Sequence, residues 1–217
     1  MATDDAAAIR DERHAFADAL EAVGPDAPTL AGSWTSHDVA AHVVSLDRFG
    51  GFPTFLGRTV VAGLALRVND VAGRFADGSI RRVRRRGFSW ALARLREPPP
   101  ALLVRPSVAA VGLFEIVVHH EDVRRANEMP PVAGAPDALA PVVDWLLRYQ
   151  RTRLRDIALR VVTEGVDSAI GSGPEVVLRG RPRDVVLWLA GRRDAADVDL
   201  DGEDAAVARI AAAWLYV

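Results

Sequence analysis

Residues 107–127 read SVAAVGLFEIVVHHEDVRRAN and contain the clearest helical pattern in the chain. Side chains at spacings of three and four residues lie on or beside one helical face, and this set comprises Val108, Val111, Glu115, Val118, His119 and Asp122. Glu115 and His119 are four positions apart, so they lie one turn apart on the helix. Ser107 follows Pro106 and is expected to cap the first turn. The stretch predicts a helix over 107–127 that carries a carboxylate beside an imidazole.

A second helix is predicted over 36–50, within the segment WTSHDVAAHVVSLDRFG at 34–50. Thr35 is expected to cap this helix, and Asp38 follows three residues later in the first turn, where a negative charge is favourable. His42 shares its helical face with apolar residues, namely Val39, Val43, Leu46 and Phe49. The pattern therefore predicts that His42 faces the core.

The remainder of the first 155 residues is also predicted to be mainly helical. A helix over 4–23 ends at Gly24 and Pro25, and it carries His14 outside its apolar stripe, at the surface or edge. Residues 54–76 could be helical, although their glycines weaken the pattern. The arginine run at 81–86 is expected to form a solvated helical face. The helical stretch within 79–97 is closed by the prolines at 98–100. A linker at 128–136 precedes another helix at 137–155.

The pattern changes after residue 155. Segments rich in β-branched residues predict strands at 157–163, 175–178 and 197–200, whereas 182–190 and 203–215 are expected to be helical. The sequence therefore predicts an α+β protein with two domains. Residues 1–155 would form a helical bundle, and residues 156–217 would form a small α/β domain.

Composition narrows the chemistry that the chain can support. Of its 217 residues, 50% are hydrophobic and 26% are charged, with a net charge of -2, which fits a globular protein and argues against a nucleic-acid partner. The chain has no cysteine and no lysine, so a cysteine nucleophile and a lysine Schiff base are excluded. Its acidic start does not resemble a signal peptide, and no apolar run approaches the ~20 residues that span a bilayer. A cytoplasmic location without a membrane partner is expected.

The residues that suggest chemistry are His42, Glu115 and His119. Two imidazoles and one carboxylate suit a zinc ion with an open fourth position, and they also suit iron(II). Alternatively, Glu115 and His119 form a solvated or hydrogen-bonded pair, and His42 is an ordinary core residue. Asp122 could orient a ligand imidazole, or it could pair with Arg125 or Arg86. His120 is turned about 100° from His119, so it is expected at a surface or interface rather than at the metal.

Three segments resemble the mycothiol-dependent maleylpyruvate isomerase family of the DinB-like metal-binding superfamily. They are GPDAPT at 24–29, WTSHDVAAH at 34–42 and FEIVVHHEDVRR at 114–125. The resemblance implies a DinB-like four-helix bundle whose metal ligands are His42, Glu115 and His119. It also implies that the C-terminal α/β domain is similar to sterol carrier proteins.

The same resemblance implies a function that uses zinc or a similar divalent metal together with mycothiol. The expected activity is an isomerase or S-transferase acting on a small electrophilic substrate, with the thiol supplied from outside the chain. Arg192, which follows LWLAG at 187–191, is implied to hold a carboxylate of the thiol or substrate. A non-catalytic metal-binding or stress-related module is one alternative, and a carrier of apolar ligands is another. The sequence leaves the substrate and the oligomeric state open.

Overall fold

The computed structural model describes residues 2–48, 78–132, 136–151, 154 and 156–213. Their contacts divide the chain into two compact units, Met1–Val132 and Ala133–Val217. The segment 54–76, the residues Phe49 and Gly50, and the last residues of the helix expected at 203–215 lie outside the described part of the chain.

The described part of the first unit is helical. It comprises α1 (Ala2–Val23), α2 (Ser36–Arg48), a helical stretch at 78–84 that we label α3, α4 (Phe88–Leu95) and α5 (Ala109–Ala126). Helix α1 packs along α5, and α2 contacts α1, α4 and α5. The apolar stripe of α1 is fully buried at Ile9, Phe16 and Leu20. The bundle therefore places α2 and α5, which carry the candidate ligands, against each other.

A buried arginine connects three helices of this unit. Arg13 of α1 is 1% exposed, and its Nη2 lies 2.7 Å from Oδ2 of Asp47 on α2. The same guanidinium donates to the carbonyls of Arg94 (2.9 Å) and Leu95 (3.2 Å) at the end of α4. A positive charge is favourable at a helix C-terminus, where the last carbonyls have no partner within the helix. Arg13 thus caps the C-terminus of α4 while it forms an ion pair with Asp47 of α2.

The second unit contains a four-stranded sheet. Its strands are β1 (Ala158–Thr163), β2 (Val166–Ile170), β3 (Glu175–Gly180) and β4 (Val198–Gly202), in the spatial order β2-β1-β3-β4. Strand β1 is antiparallel to β2 and parallel to β3, and β3 is antiparallel to β4. Between the parallel strands β1 and β3, the chain returns through the antiparallel strand β2 and the connection at 171–174.

The helices of the second unit are α6 (Ala140–Gln150), α7 (Pro182–Leu189) and α8 (Asp204–Ala212), and short 3₁₀ turns cover Pro136–Leu139 and Arg193–Ala195. Helix α6 packs against α7 and β2, while α7 contacts β1, β3 and β4. In the two central strands, β1 and β3, buried side chains alternate with exposed or partly exposed ones. The fully buried side chains are Leu159, Val161, Val176 and Leu178. One face of the sheet is therefore the core of this unit.

The α+β class and the order of a helical part before a sheet are confirmed. The units divide at Val132, whereas the sequence placed the boundary at 155/156, because α6 packs on α7 and β2 rather than serving as part of the first unit. Strand β2 was not predicted, since its sequence VDSAI is short and partly polar.

The arginines at 81–86 are exposed as expected. Among the described residues, no helix has the length and apolar character needed to cross a membrane.

Candidate metal centre

The start of α2 positions the first candidate ligand. The backbone N–H of Thr35 donates to Oδ2 of Asp38 at 3.0 Å, and the N–H of Asp38 lies 3.4 Å from the Thr35 hydroxyl oxygen. This reciprocal pairing is the capping arrangement that the sequence predicted. Asp38 also accepts a hydrogen bond from Arg84 of α3 at 2.6 Å. The first turn of α2 is thereby fixed, one turn before His42.

Helix α5 supplies the other two candidate ligands. It begins at Ala109, two residues after the expected Ser107. Before the helix, the chain forms a turn in which the carbonyl of Arg105 accepts the N–H groups of Val108 and Ala109. No side chain caps this end. Every residue from Val111 to Arg124 is buried, so α5 is enclosed on all sides along most of its length. Polar side chains on such a helix need partners within the protein.

The side chains of His42, Glu115 and His119 converge from the two helices. Nε2 of His42 lies 3.1 Å from Oε2 of Glu115, and Nε2 of His119 lies 3.7 Å from the same oxygen. The two imidazole rings are 4.9 Å apart at 79°, and the ligand atoms of all three residues lie within 4.8 Å of one another. The structure therefore brings together the three residues selected from the sequence as a group that could hold a metal ion.

The separations fit the dimensions of a metal site. Zinc lies about 2.0–2.2 Å from nitrogen and oxygen ligands, so the donor atoms of a tetrahedral site are about 3.4 Å apart. The distances of 3.1 Å and 3.7 Å from Glu115 to the two histidines bracket that value. Two imidazoles with one carboxylate form the ligand set of a catalytic zinc site. The residues present thus fit one divalent ion.

Asp122 determines which nitrogen of His119 faces the cluster. Its Oδ2 lies 3.0 Å from Nδ1 of His119, and the Asp122 side chain is completely buried. A neutral His119 that donates its Nδ1–H to this carboxylate keeps a lone pair on Nε2. Nε2 and the Oε2 of Glu115, which lie 3.7 Å apart, then both offer lone pairs, as two ligands of one metal ion do.

Trp34 forms an aromatic wall beside the cluster. Its ring centroid lies 5.2 Å from that of His42 and 6.2 Å from that of His119. This role of Trp34 was not predicted from the sequence, although Trp34 immediately precedes the cap of the helix that carries His42. The three candidate ligands retain some solvent exposure, with 13% for the His42 side chain, 8% for Glu115 and 9% for His119. The cluster is shielded but remains accessible to solvent.

His120 does not join this cluster, as the helical geometry predicted. It was expected at a surface or interface, and it lies buried where α5 meets α1. The side chain is buried, and its Nδ1 lies 2.7 Å from Oε1 of Glu12 on α1. Phe16 packs against the imidazole with a centroid distance of 5.7 Å. Its burial was not predicted, because α1 packs on α5 and covers the face that carries His120, which a helix with one apolar face would expose to solvent.

Asp122 makes the contact with His119 that the sequence suggested, with Oδ2 lying 3.0 Å from Nδ1. Arg125 lies 2.9 Å from Oε2 of Glu121, and Arg124 lies 2.7 Å from Oε1 of the same carboxylate. Arg86 is exposed and lies over the ring of Trp90 at 5.8 Å. The contact needed for a carboxylate that orients a ligand imidazole is therefore present.

Arg192 belongs to the second unit, in the segment between α7 and the following 3₁₀ turn. It is half-buried, and its Nη1 donates to the carbonyl of Ala190 at 2.9 Å. Its backbone N–H donates to the carbonyl of Leu187 at 2.9 Å. These bonds describe only the local environment of Arg192, and its role toward a thiol or substrate stays a prediction.

Comparison with known proteins gives a match at the level of structure. No protein-family model and no curated protein matches the sequence. The structure is similar to that of a histidine-to-alanine mutant of the mycothiol-dependent maleylpyruvate isomerase, with a TM-score of 0.57 and 15% identity. It is also similar to a second structure of the mycothiol-dependent maleylpyruvate isomerase, with a TM-score of 0.51 and 14% identity. Each match covers 93% of this chain and 93% of the other chain.

The chain shares the fold of these isomerases. The resemblance stated from residues 24–42 and 114–125 is therefore confirmed as a similarity of structure. Identity of 14–15% is too low to transfer an activity, because one fold supports many functions. The similarity to sterol carrier proteins expected for the second unit stays a prediction.

Proposed function

We propose that this protein binds one divalent metal ion, zinc in the first instance, and uses mycothiol or a related small thiol to modify a small electrophilic substrate. The observation that carries the proposal is the convergence of His42, Glu115 and His119, with the 3.1 Å and 3.7 Å separations described above. The shared fold with mycothiol-dependent maleylpyruvate isomerase structures supports the choice of thiol. The absence of cysteine from the chain agrees with a thiol supplied from outside.

The residues of the cluster would have different roles in binding the ion. His42, Glu115 and His119 would provide three donor atoms, which leaves a four-coordinate ion one position for an external ligand. Asp122 would hold the His119 ring so that Nε2 faces the other donors. Trp34 would limit the access of water to the two imidazoles. When bound, the metal would act as a Lewis acid that favours the thiolate form of a thiol at neutral pH.

The reaction class follows from a thiolate as nucleophile. Reversible addition of the thiol to a cis-enoic acid would allow rotation about the former double bond, and elimination of the thiol would give the trans isomer. Transfer of the sulfur to another electrophilic carbon is the related S-transferase reaction. Arg192 is proposed to bind a carboxylate of the thiol or substrate, since guanidinium groups form paired hydrogen bonds with carboxylates.

Calorimetry of the metal-loaded protein with mycothiol is the decisive experiment. We expect binding to the wild type and none to His42→Ala, because two ligands form a poor site. Binding should release a proton, since a thiol must deprotonate when it coordinates a metal. Titrations in two buffers of different ionisation enthalpy would measure that proton. Arg192→Ala should weaken binding of the thiol or substrate while it leaves the metal content unchanged.

The same experiment separates the proposed enzyme from its alternatives. His14→Ala serves as the matched control, because His14 is exposed and lies outside the cluster. Heat without proton release would place the thiol away from the metal. A metal-loaded protein that neither binds mycothiol nor releases a proton at millimolar thiol would instead be a non-catalytic metal-binding module.

A further inference from the structure

The first unit carries a basic surface that the proposed function does not use. Five of the six residues from 81 to 86, in α3 and the turn after it, are arginines, and all five are exposed. Val83 within the run is fully buried, and Ile80 before it is 6% exposed. These two apolar side chains anchor α3, while the guanidinium groups remain outside. We call this surface the arginine patch, which comprises Arg81, Arg82, Arg84, Arg85 and Arg86.

The charge of the arginine patch is only partly neutralised. Nη1 of Arg84 lies 2.6 Å from a carboxylate oxygen of Asp38. Arg81 and Arg85 form no ion pair with an acidic residue in the part of the chain that the structure describes. The carbonyl of Arg81 accepts the N–H of Arg85 at 3.2 Å, so the two residues lie one helical turn apart, where like charges repel each other. An anionic partner would relieve this repulsion.

The second unit carries a surface of the opposite sign. Residues 194–204 read DAADVDLDGED, which contains six carboxylates, all exposed, and no basic residue. The segment runs through β4, which has β3 as its one neighbour and therefore forms an edge of the sheet. Among the described residues, none forms an ion pair with any of these six carboxylates. We call this surface the acidic strip, which comprises Asp194, Asp197, Asp199, Asp201, Glu203 and Asp204.

We propose that the arginine patch of one chain docks on the acidic strip of a second copy of the same chain. Five positive and six negative exposed side chains give the two surfaces complementary potentials, which favour encounter and fix the orientation of the partners. Guanidinium and carboxylate groups also form paired hydrogen bonds with each other. Because each chain has one surface of each sign, a closed two-fold dimer would make the contact twice. This association requires neither the proposed metal nor a thiol.

A second copy fits the arginine patch better than an extended polyanion does. A nucleic acid or an anionic membrane would repel a chain with a net charge of -2 and an exposed acidic strip. Binding of single-stranded nucleic acid also needs open aromatic faces on which bases stack. Trp90, which follows the patch, is already contacted by the guanidinium groups of Arg86 and Arg94, at 5.8 Å and 5.7 Å from its ring centroid.

Sedimentation velocity of the full chain would test this association over a series of protein and salt concentrations. At an ionic strength of about 0.01 M, we expect a mass above that of the monomer, and this mass should rise with protein concentration. At about 1 M the protein should be monomeric, because the Debye length falls from about 30 Å to about 3 Å and exposed charges are screened.

Charge reversal on either surface should abolish the association, and mixing should restore it. Arg81→Glu with Arg85→Glu, or Asp201→Arg with Glu203→Arg, should each weaken it by about tenfold or more, since like charges would then meet. An equimolar mixture of the two double variants should associate again, because the intact acidic strip of the first meets the intact arginine patch of the second. Restored association would also show that both variants are folded.

A control of equal net charge separates the two surfaces from a general effect of charge. Arg10→Glu with Arg148→Glu changes two exposed arginines outside the patch and should associate like the wild type. A wild type that is monomeric at low ionic strength, a mixture of variants that stays monomeric, or an equal loss in the control would each overturn the proposal. Binding of a monomeric wild type to phosphatidylglycerol vesicles or DNA, lost in Arg81→Glu with Arg85→Glu, would assign the patch to that polyanion instead.

Discussion

Helix α5 carries two buried carboxylate–imidazole clusters that differ in what they can bind. Toward α2, Glu115 stands between His42 and His119, and three donor atoms converge. Toward α1, His120 meets Glu12 at 2.7 Å. Both clusters use the same residue types at similar burial. The difference shows that convergence of three donors, rather than the presence of histidine and glutamate, distinguishes a candidate metal site from a hydrogen-bonded pair.

Removing a donor from the α2 side should have the largest effect. Glu115→Ala and His119→Ala are each expected to reduce the metal content from about one ion per chain to near zero, because a structural or catalytic zinc needs at least three protein ligands. His120→Ala should keep the ion. Elemental analysis of the purified variants would measure this. Loss of metal from His120→Ala together with its retention in His119→Ala would reverse the assignment of the two clusters.

Removing the ion from the intact protein should have the next largest effect. Because the ion would bind the folded state, saturation at a hundred times the dissociation constant stabilises that state by about 2.7 kcal/mol. Chelation should therefore lower the melting temperature of the wild type and of His120→Ala, but not that of Glu115→Ala. The helices should persist in circular dichroism, since apolar residues fill the bundle. A stripped protein without helical signal would show that the ion is structural.

Asp122→Asn should weaken metal binding without abolishing it. The variant preserves the size of the side chain but removes the negative charge that orients His119, and such changes reduce metal affinity by about 10- to 100-fold. Competition with a chromophoric chelator would measure the dissociation constant. An unchanged constant would mean that the 3.0 Å contact between Asp122 and His119 serves only the folded structure.

The smallest effect is expected on the α1 side. Glu12→Gln should lower the free energy of unfolding by about 1 kcal/mol, because a charge-assisted hydrogen bond to His120 becomes a neutral one. Metal affinity should remain that of the wild type. Urea unfolding and chelator competition on the same sample would measure both quantities. A fall in metal affinity equal to that of Asp122→Asn would show that the two clusters are coupled.

Local sequence pattern singled out His42, Glu115 and His119, because spacing of four on α5 and a capped start for α2 are short-range properties. That these residues share one site was implied by the family resemblance. The local pattern did not predict the partner of His120, since a pattern with one apolar face assumes that the other face meets water, whereas α5 is buried on all sides. Trp34 was missed for a similar reason. Its contacts with His42 and His119 depend on how the segment between α1 and α2 packs.

Long-range packing also limited the prediction of the fold. The stop of α1 at Gly24 was predicted, and the structure gives this glycine a positive φ of 82°. In contrast, the division of the units at Val132 depends on the contacts of α6 with α7 and β2, which are distant in sequence. Strand β2 depends on its pairing with β1 rather than on the propensity of its own residues.

The buried Arg13 has a consequence for how the bundle opens. Since its guanidinium bonds Asp47 of α2 and the last carbonyls of α4, neither helix can detach without leaving a charge unsatisfied in the interior. Local fraying of α2 should therefore be suppressed, and its amides near His42 should exchange with solvent only when α1, α2 and α4 separate together. The segment that carries a candidate ligand would then belong to one cooperative unit, and release of a bound ion by local opening would be slow.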